Sequence, residues 1–285
     1  MDRYLARMKS LPINPSVAAK VLETLERREF SFKQLEDLIG ADPGLAARIL
    51  KIANSALYAR QSQITKLQMA MTLLGLNAIK SLVVLVTGAS LFKGQGGSRF
   101  CGLYWSHSLA SAFLSRDLAK AMGLSSLADE AFIGGLLHNI GQVAMFLEHG
   151  PAYESLLESL KGSSGRFSAL ETERFGVSHR IVGRMALDEW HFPAQYVDCA
   201  MEHGESNIRS PHKQLVLIVT VASFIASNWV YFDDDPKPLS LLGAQLAQLP
   251  SSSLGPEGLD GYQSRYREEL RKDAFFNECL ALIKG

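Results

Sequence analysis

His138 and Asn139 stand side by side in Gly134-Gly135-Leu136-Leu137-His138-Asn139-Ile140-Gly141, within an apolar helical segment running roughly from Ser126 to Leu147. Polar groups in such surroundings cost free energy unless they find partners. One partner is a metal ion, because a histidine beside a carboxylate is a compact ligand pair that joins an imidazole nitrogen to an anionic oxygen. Here the second position is an amide, so the anionic half of the pair is missing. Further along, Arg180 and Arg184 lie one helical turn apart beside His179. That spacing could clamp a phosphate or another acidic ligand, and an exposed charged face explains it as well.

The elements that must position these residues all read as helices. Leu11-Pro12-Ile13-Asn14-Pro15 is an extended, proline-stiffened entry, followed by Val17, Val21, Leu22 and Leu25 at helical spacing. Ser31 predicts an N-cap, with Phe32, Leu35, Leu38 and Ile39 on one face of the helix behind it. Asp42-Pro43 is a stronger start signal, an oxygen-bearing cap followed by proline at the first helical position. The helix it opens ends near Asn54-Ser55, read as a cap or as a polar contact with another element. Gly75 breaks the next apolar run, and Lys93-Gly94-Gln95-Gly96-Gly97-Ser98 reads as a linker.

The second half carries His107 in a helix from about Phe100 to Met122, then the His138 segment, then a helix over 153–161. After the Gly162–Gly165 turn come helices around Leu170, at Ser178–Trp190 and at Ala194–His203, the last opened by Pro193. Trp190 is expected as a packing anchor. The tail from Asp233-Asp234-Asp235 onward reads as a loop and two or three further helices. No alternating strand pattern and no short repeat occurs. The expected fold is all-α, in two sub-bundles joined near residue 95.

Composition narrows the function classes. The chain has 285 residues, 47% of them hydrophobic and 20% charged, as an ordinary globular core requires. Twenty-nine basic and 29 acidic residues give a formal net charge of zero, which argues against a nucleic-acid partner. Three scattered cysteines without a CxxC pair fit a reducing cytoplasm. The start, Met1-Asp2-Arg3-Tyr4, lacks the pattern of a secretory signal. Leu215 to Phe232 approaches membrane-span length but carries Thr220, Ser223, Ser227 and Asn228, and is expected as a buried core helix rather than a membrane contact.

Two sets of residues together resemble one family. The first is Leu11-Pro12, Ile39 through Asp42-Pro43, Leu45, Leu50, Asn54-Ser55, Ala70 and Leu74-Gly75. The second is Tyr104-Trp105-Ser106-His107, Gly135 through Gly141, Val177-Ser178-His179, Trp190 with Pro193, and Glu202-His203. Their order and spacing resemble the HDOD (HD-related output) domain of bacteria, itself a relative of HD-type metal-dependent phosphohydrolases. The resemblance covers residues 5–230, divided as 5–93 and an HD-like 99–230, and leaves 231–285 as a helical tail of unassigned role.

The resemblance implies a site. In HD phosphohydrolases histidines and aspartates hold divalent metals that activate water against a phosphate ester. His107 matches the first ligand, His138 the histidine of the HD pair, and His179 and His203 the later histidines of two-metal members. Asn139 stands where the paired aspartate belongs, and Ser223 falls at the last acidic position. His149, His191 and His212 match no ligand position and are expected at the surface. Loss of two carboxylates disfavours Mg²⁺ and Mn²⁺, whereas Zn²⁺, Ni²⁺ or Fe could still be held by imidazoles.

Two functions follow as expectations. The first is a regulatory, signal-transduction module with a degenerate metal site and no required cofactor, acting through a protein partner or a small ligand. The second is a histidine-based phosphohydrolase acting on a nucleotide or cyclic dinucleotide, with Glu202 or Asp198 standing in as the base.

Overall fold

The structure, a computed structural model, describes residues 2–9, 15–27, 29–55, 57–58, 63–91, 98–159, 167–232, 236–249 and 258–284. The expected entry at 11–14, the linker at 93–97, the 162–165 turn and the 233–235 loop lie outside the described residues, within which there is no strand.

The first half packs α2 (Ser16–Glu26), α3 (Phe32–Gly40), α4 (Pro43–Ala53), α5 (Leu67–Leu74) and α6 (Leu76–Ser90) on one another. Local chemistry sets their ends. The Ser31 hydroxyl accepts from Gln34 N while the Gln34 side chain accepts from Ser31 N, a reciprocal capping box. Asp42 Oδ1 accepts from Gly44 N at 2.9 Å and Leu45 N at 3.0 Å, with Pro43 at the first helical position. Asn54 caps the end of α4 and also grips Ile64, donating to its carbonyl and accepting from its N–H at 2.8 Å each. Gly75, at φ 80°, turns the chain by 114° between α5 and α6, in a backbone region that residues with a Cβ rarely adopt. Phe32 departs from its expected apolar face. At the first turn of α3 it is 43% exposed.

The second half is built around α7 (Arg99–Ala121), which lies along α8 (Ala128–Leu137) and α14 (Lys213–Val230). Around these pack α9 (Ile140–His149), α10 (Pro151–Ser159), α11 (Phe167–Phe175), α12 (His179–Glu189) and α13 (Ala194–Glu202). Among the described residues α14 alone is long and apolar enough to cross a membrane, and most of it is buried inside the bundle.

The expected single helix over 126–147 is in fact two helices, α8 and α9, with His138 and Asn139 in the turn between them. Close backbone contacts fix that turn. A Cβ on Gly135 would lie 2.7 Å from the Ser111 carbonyl of α7, and one on Gly141 1.9 Å from the His179 carbonyl of α12. Each glycine sits flush against a different helix, and the chain has to bend between them.

Two further pieces pack on these bundles. α1 (Asp2–Lys9), first in sequence, lies on α9 and α12 of the second half, with Tyr4 buried and its hydroxyl 2.8 Å from His149 Nε2. The tail contributes α15 (Gly243–Leu246), α16 (Gly258–Lys272) and α17 (Ala274–Lys284), of which α17 packs on α6 and α7.

Candidate functional site

All four predicted histidines converge, each from a different part of the second half. His107 comes from the middle of α7, His138 from the α8–α9 turn, His179 from the first turn of α12 and His203 from the end of α13. All are 8% exposed or less. They meet as two pairs, His107 Nε2 with His138 Nε2 at 3.2 Å and His179 Nε2 with His203 Nε2 at 3.3 Å. His138 and His203 join the pairs edge to face, with ring centroids 4.8 Å apart. Ser223 of α14 closes the first pair, its hydroxyl 3.0 Å from His138 Nε2 and 3.4 Å from His107 Nε2.

The outward nitrogens fix where the protons sit. His138 Nδ1 meets the Gly135 carbonyl at 2.8 Å, and His203 Nδ1 meets the Cys199 and Ala200 carbonyls at 3.0 and 3.1 Å. A carbonyl only accepts, so both rings carry their proton on Nδ1 and present a bare Nε2 inward. His179 Nδ1 lies 2.5 Å from Glu171 Oε2, which also accepts from His179 N at 2.9 Å, while Tyr153 donates to Glu171 Oε1 at 2.5 Å. With three donors on the carboxylate, His179 too gives its Nδ1 proton outward. His107 differs: its Nδ1 is buried without a partner, which leaves Nε2–H free to donate to His138.

Burial, more than any neighbour, sets the charge state. It pushes the His138 pKa down to about 3, with His179 adding to the depression and the Gly135 contact opposing it. Burial also holds His107 and His203 well below the usual histidine value, aided by the neighbouring imidazoles. Tyr153 is driven well above the usual phenol value by burial and by the adjacent Glu171 charge, so it remains a donor.

Glu171 and Tyr153 were not among the candidates from sequence. Glu171 is completely buried, four residues from both Phe167 and Phe175 on α11, and a carboxylate in register with aromatic residues was the available signal. The substitutes proposed for a base are placed elsewhere. Glu202 accepts from Arg209 N and Ser210 N, and Asp198 takes the Ser210 hydroxyl and His212 Nδ1, so both hold the loop after α13. Arg180 donates to the Met201 carbonyl and pairs with Glu205, and Arg184 pairs with Asp188 at 3.5 Å. An anion between those arginines would have to displace a carboxylate from each. His191 is exposed, whereas His149, expected at the surface, stacks on Phe175 at 4.1 Å and is partly buried.

The HDOD domain family matches residues 11–206, more than half of the chain. The chain belongs to the HDOD family. A 1.90 Å structure of an HDOD domain protein of unknown function from Geobacter sulfurreducens is 21% identical, with a TM-score of 0.67 over 96% of this chain and 92% of that one. A presumed phosphohydrolase from Shewanella amazonensis SB2B is 22% identical, with a TM-score of 0.66 over 99% and 97%. A presumed signal transduction protein from Marinobacter aquaeolei VT8 is 19% identical, with a TM-score of 0.75 over 99% and 64%. At these identities the structures speak for the fold alone. An uncharacterized protein of Treponema pallidum (strain Nichols) is 24% identical over 232 residues, 81% of this chain, and the chain spans 44% of that relative's length.

The residues present offer a metal nitrogen donors but no complete ligand set. Among the described residues, no three His, Cys, Asp or Glu side chains come together as a complete ligand set. Asn139 and Ser223 bring no charge, so an oxygen-preferring ion finds no anionic ligand on the inner side. Two nitrogens bound at about 2.0–2.1 Å to one tetrahedral ion would lie about 3.3 Å apart, the spacing within each histidine pair. The same spacing is that of a long N–H···N hydrogen bond, and two nitrogens per pair fall short of the three protein ligands a bound ion takes, so the described residues do not complete a metal site.

Proposed function

We propose that this HDOD chain is a regulatory module of bacterial signal transduction that works by binding a protein partner or a small ligand rather than by turnover. One observation carries the reading: among the described residues, the inner face of the histidine cluster bears no carboxylate. Among the described residues it consists of imidazole Nε2 atoms and the Ser223 hydroxyl, and the carboxylate that touches the cluster, Glu171, lies on the outer edge of His179. Hydrolysis of a phosphate ester by metal-bound water relies on a ligand set that retains one or two cations, and on a base for the attacking water. Asn139 and Ser223 supply neither, and Glu202 and Asp198 are engaged with the 209–212 backbone and side chains. The likeness to a presumed signal transduction protein points the same way.

The second reading, a metal-dependent phosphohydrolase using histidines alone, is favoured by the spacing within the pairs and by the likeness to a presumed phosphohydrolase. Assaying an activated phosphodiester and cyclic dinucleotides with Zn²⁺, Ni²⁺, Fe²⁺ and Mn²⁺, against His138→Ala, separates the two. The regulatory reading expects equal background rates. Metal-dependent turnover that disappears in His138→Ala overturns it.

A further inference from the structure

We propose that the exposed face shared by the end of α4 and the start of α5, with Lys51, Leu57, Lys66 and Met69 on it, docks an acidic amphipathic helix of a protein partner. The proposal rests on the regulatory reading and adds to it a surface and a partner chemistry.

Charge is unevenly placed along this chain. From Pro43 to Arg116 there are eight Lys and Arg residues and no Asp or Glu, so all 29 acidic residues lie elsewhere. On the neighbouring helices exposed cations are answered close by, Arg27 by Glu23 and Lys33 by Asp37, each at 2.8 Å. The side chains of Arg48, Lys51 and Lys66 have no ion pair among the described residues. The tail does bring acid near, since Asp273 and Glu278 lie close to Tyr58, whose phenol is pushed up by burial and in smaller part by their charge. Neither pairs with these cations, and Asp273 caps α17 by accepting from Phe276 N at 2.7 Å.

Local structure accounts for only one of the two exposed lysines. Lys51, in the last turn of α4, suits the negative end of the helix dipole. Lys66 is the N-cap of α5, where its side chain makes no capping bond and its charge meets the positive end. The Asn54 side chain, bonded both ways to the Ile64 backbone, brings the two segments together. Lys51 lies one turn before Asn54, and Lys66 two residues after Ile64. Arg48, partly exposed, is a further turn back along α4. Two apolar side chains belong to the same stretch: Leu57 is 40% exposed and Met69, one turn beyond Lys66, is 50% exposed.

That mixture selects among anionic partners. A single-stranded nucleic acid calls for aromatic platforms between the cations, and Leu57 and Met69 are aliphatic. A membrane surface calls for a broad apolar face, whereas Ile49, Ile52, Leu67, Ala70 and Met71 of these helices are turned into the core. A second copy, offering some other acidic face, would dock head to tail and propagate without closing. An acidic amphipathic helix meets both requirements, its carboxylates answering the lysines and its apolar stripe covering an adaptable methionine and a leucine.

The test is fluorescence anisotropy of a labelled helical peptide, with Glu rows beside a Leu stripe, titrated with the full chain. Saturable binding is expected, weakened several-fold between about 50 and about 300 mM NaCl. It should fall about tenfold or more in Lys51→Glu/Lys66→Glu and stay unchanged in Lys213→Glu, a charge reversal at the exposed start of α14. The peptide should also slow hydrogen exchange over 48–54 and 64–72. Should the double reversal fail to fold, Lys51→Gln/Lys66→Gln is read instead, and unchanged affinity there overturns the proposal. So does equal binding of a peptide with Gln for Glu, equal loss in Lys213→Glu, or no binding at all. Tighter binding of single-stranded DNA or of phosphatidylglycerol vesicles overturns the choice of partner, as does low-salt self-association that the double reversal abolishes. Peptide binding is read without substrate or metal, so it can fail separately from the regulatory reading. An inactive chain that ignores the peptide keeps that reading and loses this surface, and a chain that shows turnover yet binds the peptide does the reverse.

Discussion

The carbonyl oxygen of His179 occupies the place where a side chain on Gly141 would begin, 1.9 Å from an added Cβ. The same Cβ would come within 2.5 Å of Gly183 N, so α9 and α12 touch backbone to backbone beneath the histidine cluster. Gly141→Ala must therefore force the two helices apart. The expected cost lies at or beyond the top of the usual range of about 1–3 kcal/mol for overpacking. Gly134→Ala is the control, because its Cβ would meet side-chain atoms of Cys199 and Val219, at 3.0 and 3.2 Å, rather than backbone. Urea midpoints for both variants check the contrast. Equal losses would mean that the α9–α12 contact yields more easily than its geometry indicates.

Tyr153 makes a different demand on the same region. Tyr153→Phe removes the hydroxyl that donates to the buried Glu171 Oε1 and leaves that oxygen without its donor. An unsatisfied buried acceptor costs about 1–3 kcal/mol, more when it is charged. A lowered melting temperature with an unchanged far-ultraviolet spectrum is expected. If the melting temperature is unchanged, Tyr153 is not what secures Glu171.

Acid should loosen the cluster, and the sign follows from burial. His138 has its folded pKa lowered to about 3, against about 6.5 in an unfolded chain. Between those values the unfolded chain takes up a proton that the native chain refuses, so stability is full above about pH 6.5 and falls towards pH 3. His107 shifts in the same direction for the same cause. Each such histidine contributes a slope of about 1.4 kcal/mol per pH unit across its window. Urea unfolding at pH 7, 6 and 5 with a chelator present should show the decline, and His138→Gln should flatten it. Parallel slopes for the two chains would place the acid sensitivity elsewhere.

What the sequence revealed about this fold was whatever is decided locally. The caps at Ser31 and Asp42-Pro43 and the turn at Gly75 follow from the chemistry of a few adjacent residues, and each is where the pattern placed it. The convergence of His107, His138, His179 and His203 came through the family resemblance, since no local rule brings α7 to α13. The break at His138-Asn139 was hidden because the residues on both sides are equally apolar, and the bend is imposed by the helices that Gly135 and Gly141 touch. Glu171 was hidden for a related reason. A glutamate on a mixed helix reads as solvated until Tyr153 and His179, from two other elements, are seen to enclose it.

The tail, left without a role by the family resemblance, is part of the core that supports α7. Phe276 of α17 meets the Phe113 ring of α7 at 5.3 Å and near a right angle, Phe275 lies 5.9 Å from it, and Phe132 lies 5.3 Å from it. Arg116 covers the same ring at 4.6 Å, and its neighbour Asp117 accepts from Tyr266 of α16. His107 is carried on this helix, so the tail bears on the site through packing. Phe276 is partly exposed, and Phe276→Ala should cost about 2 kcal/mol, at or below the low end for a core aromatic. If the tail folds with the rest, the whole chain unfolds in one transition at lower urea, and hydrogen exchange quickens in α7 as well as in α17. Faster exchange confined to residues 258–284, with the main transition unmoved, would show instead that the tail is an appendage and that α7 stands without it.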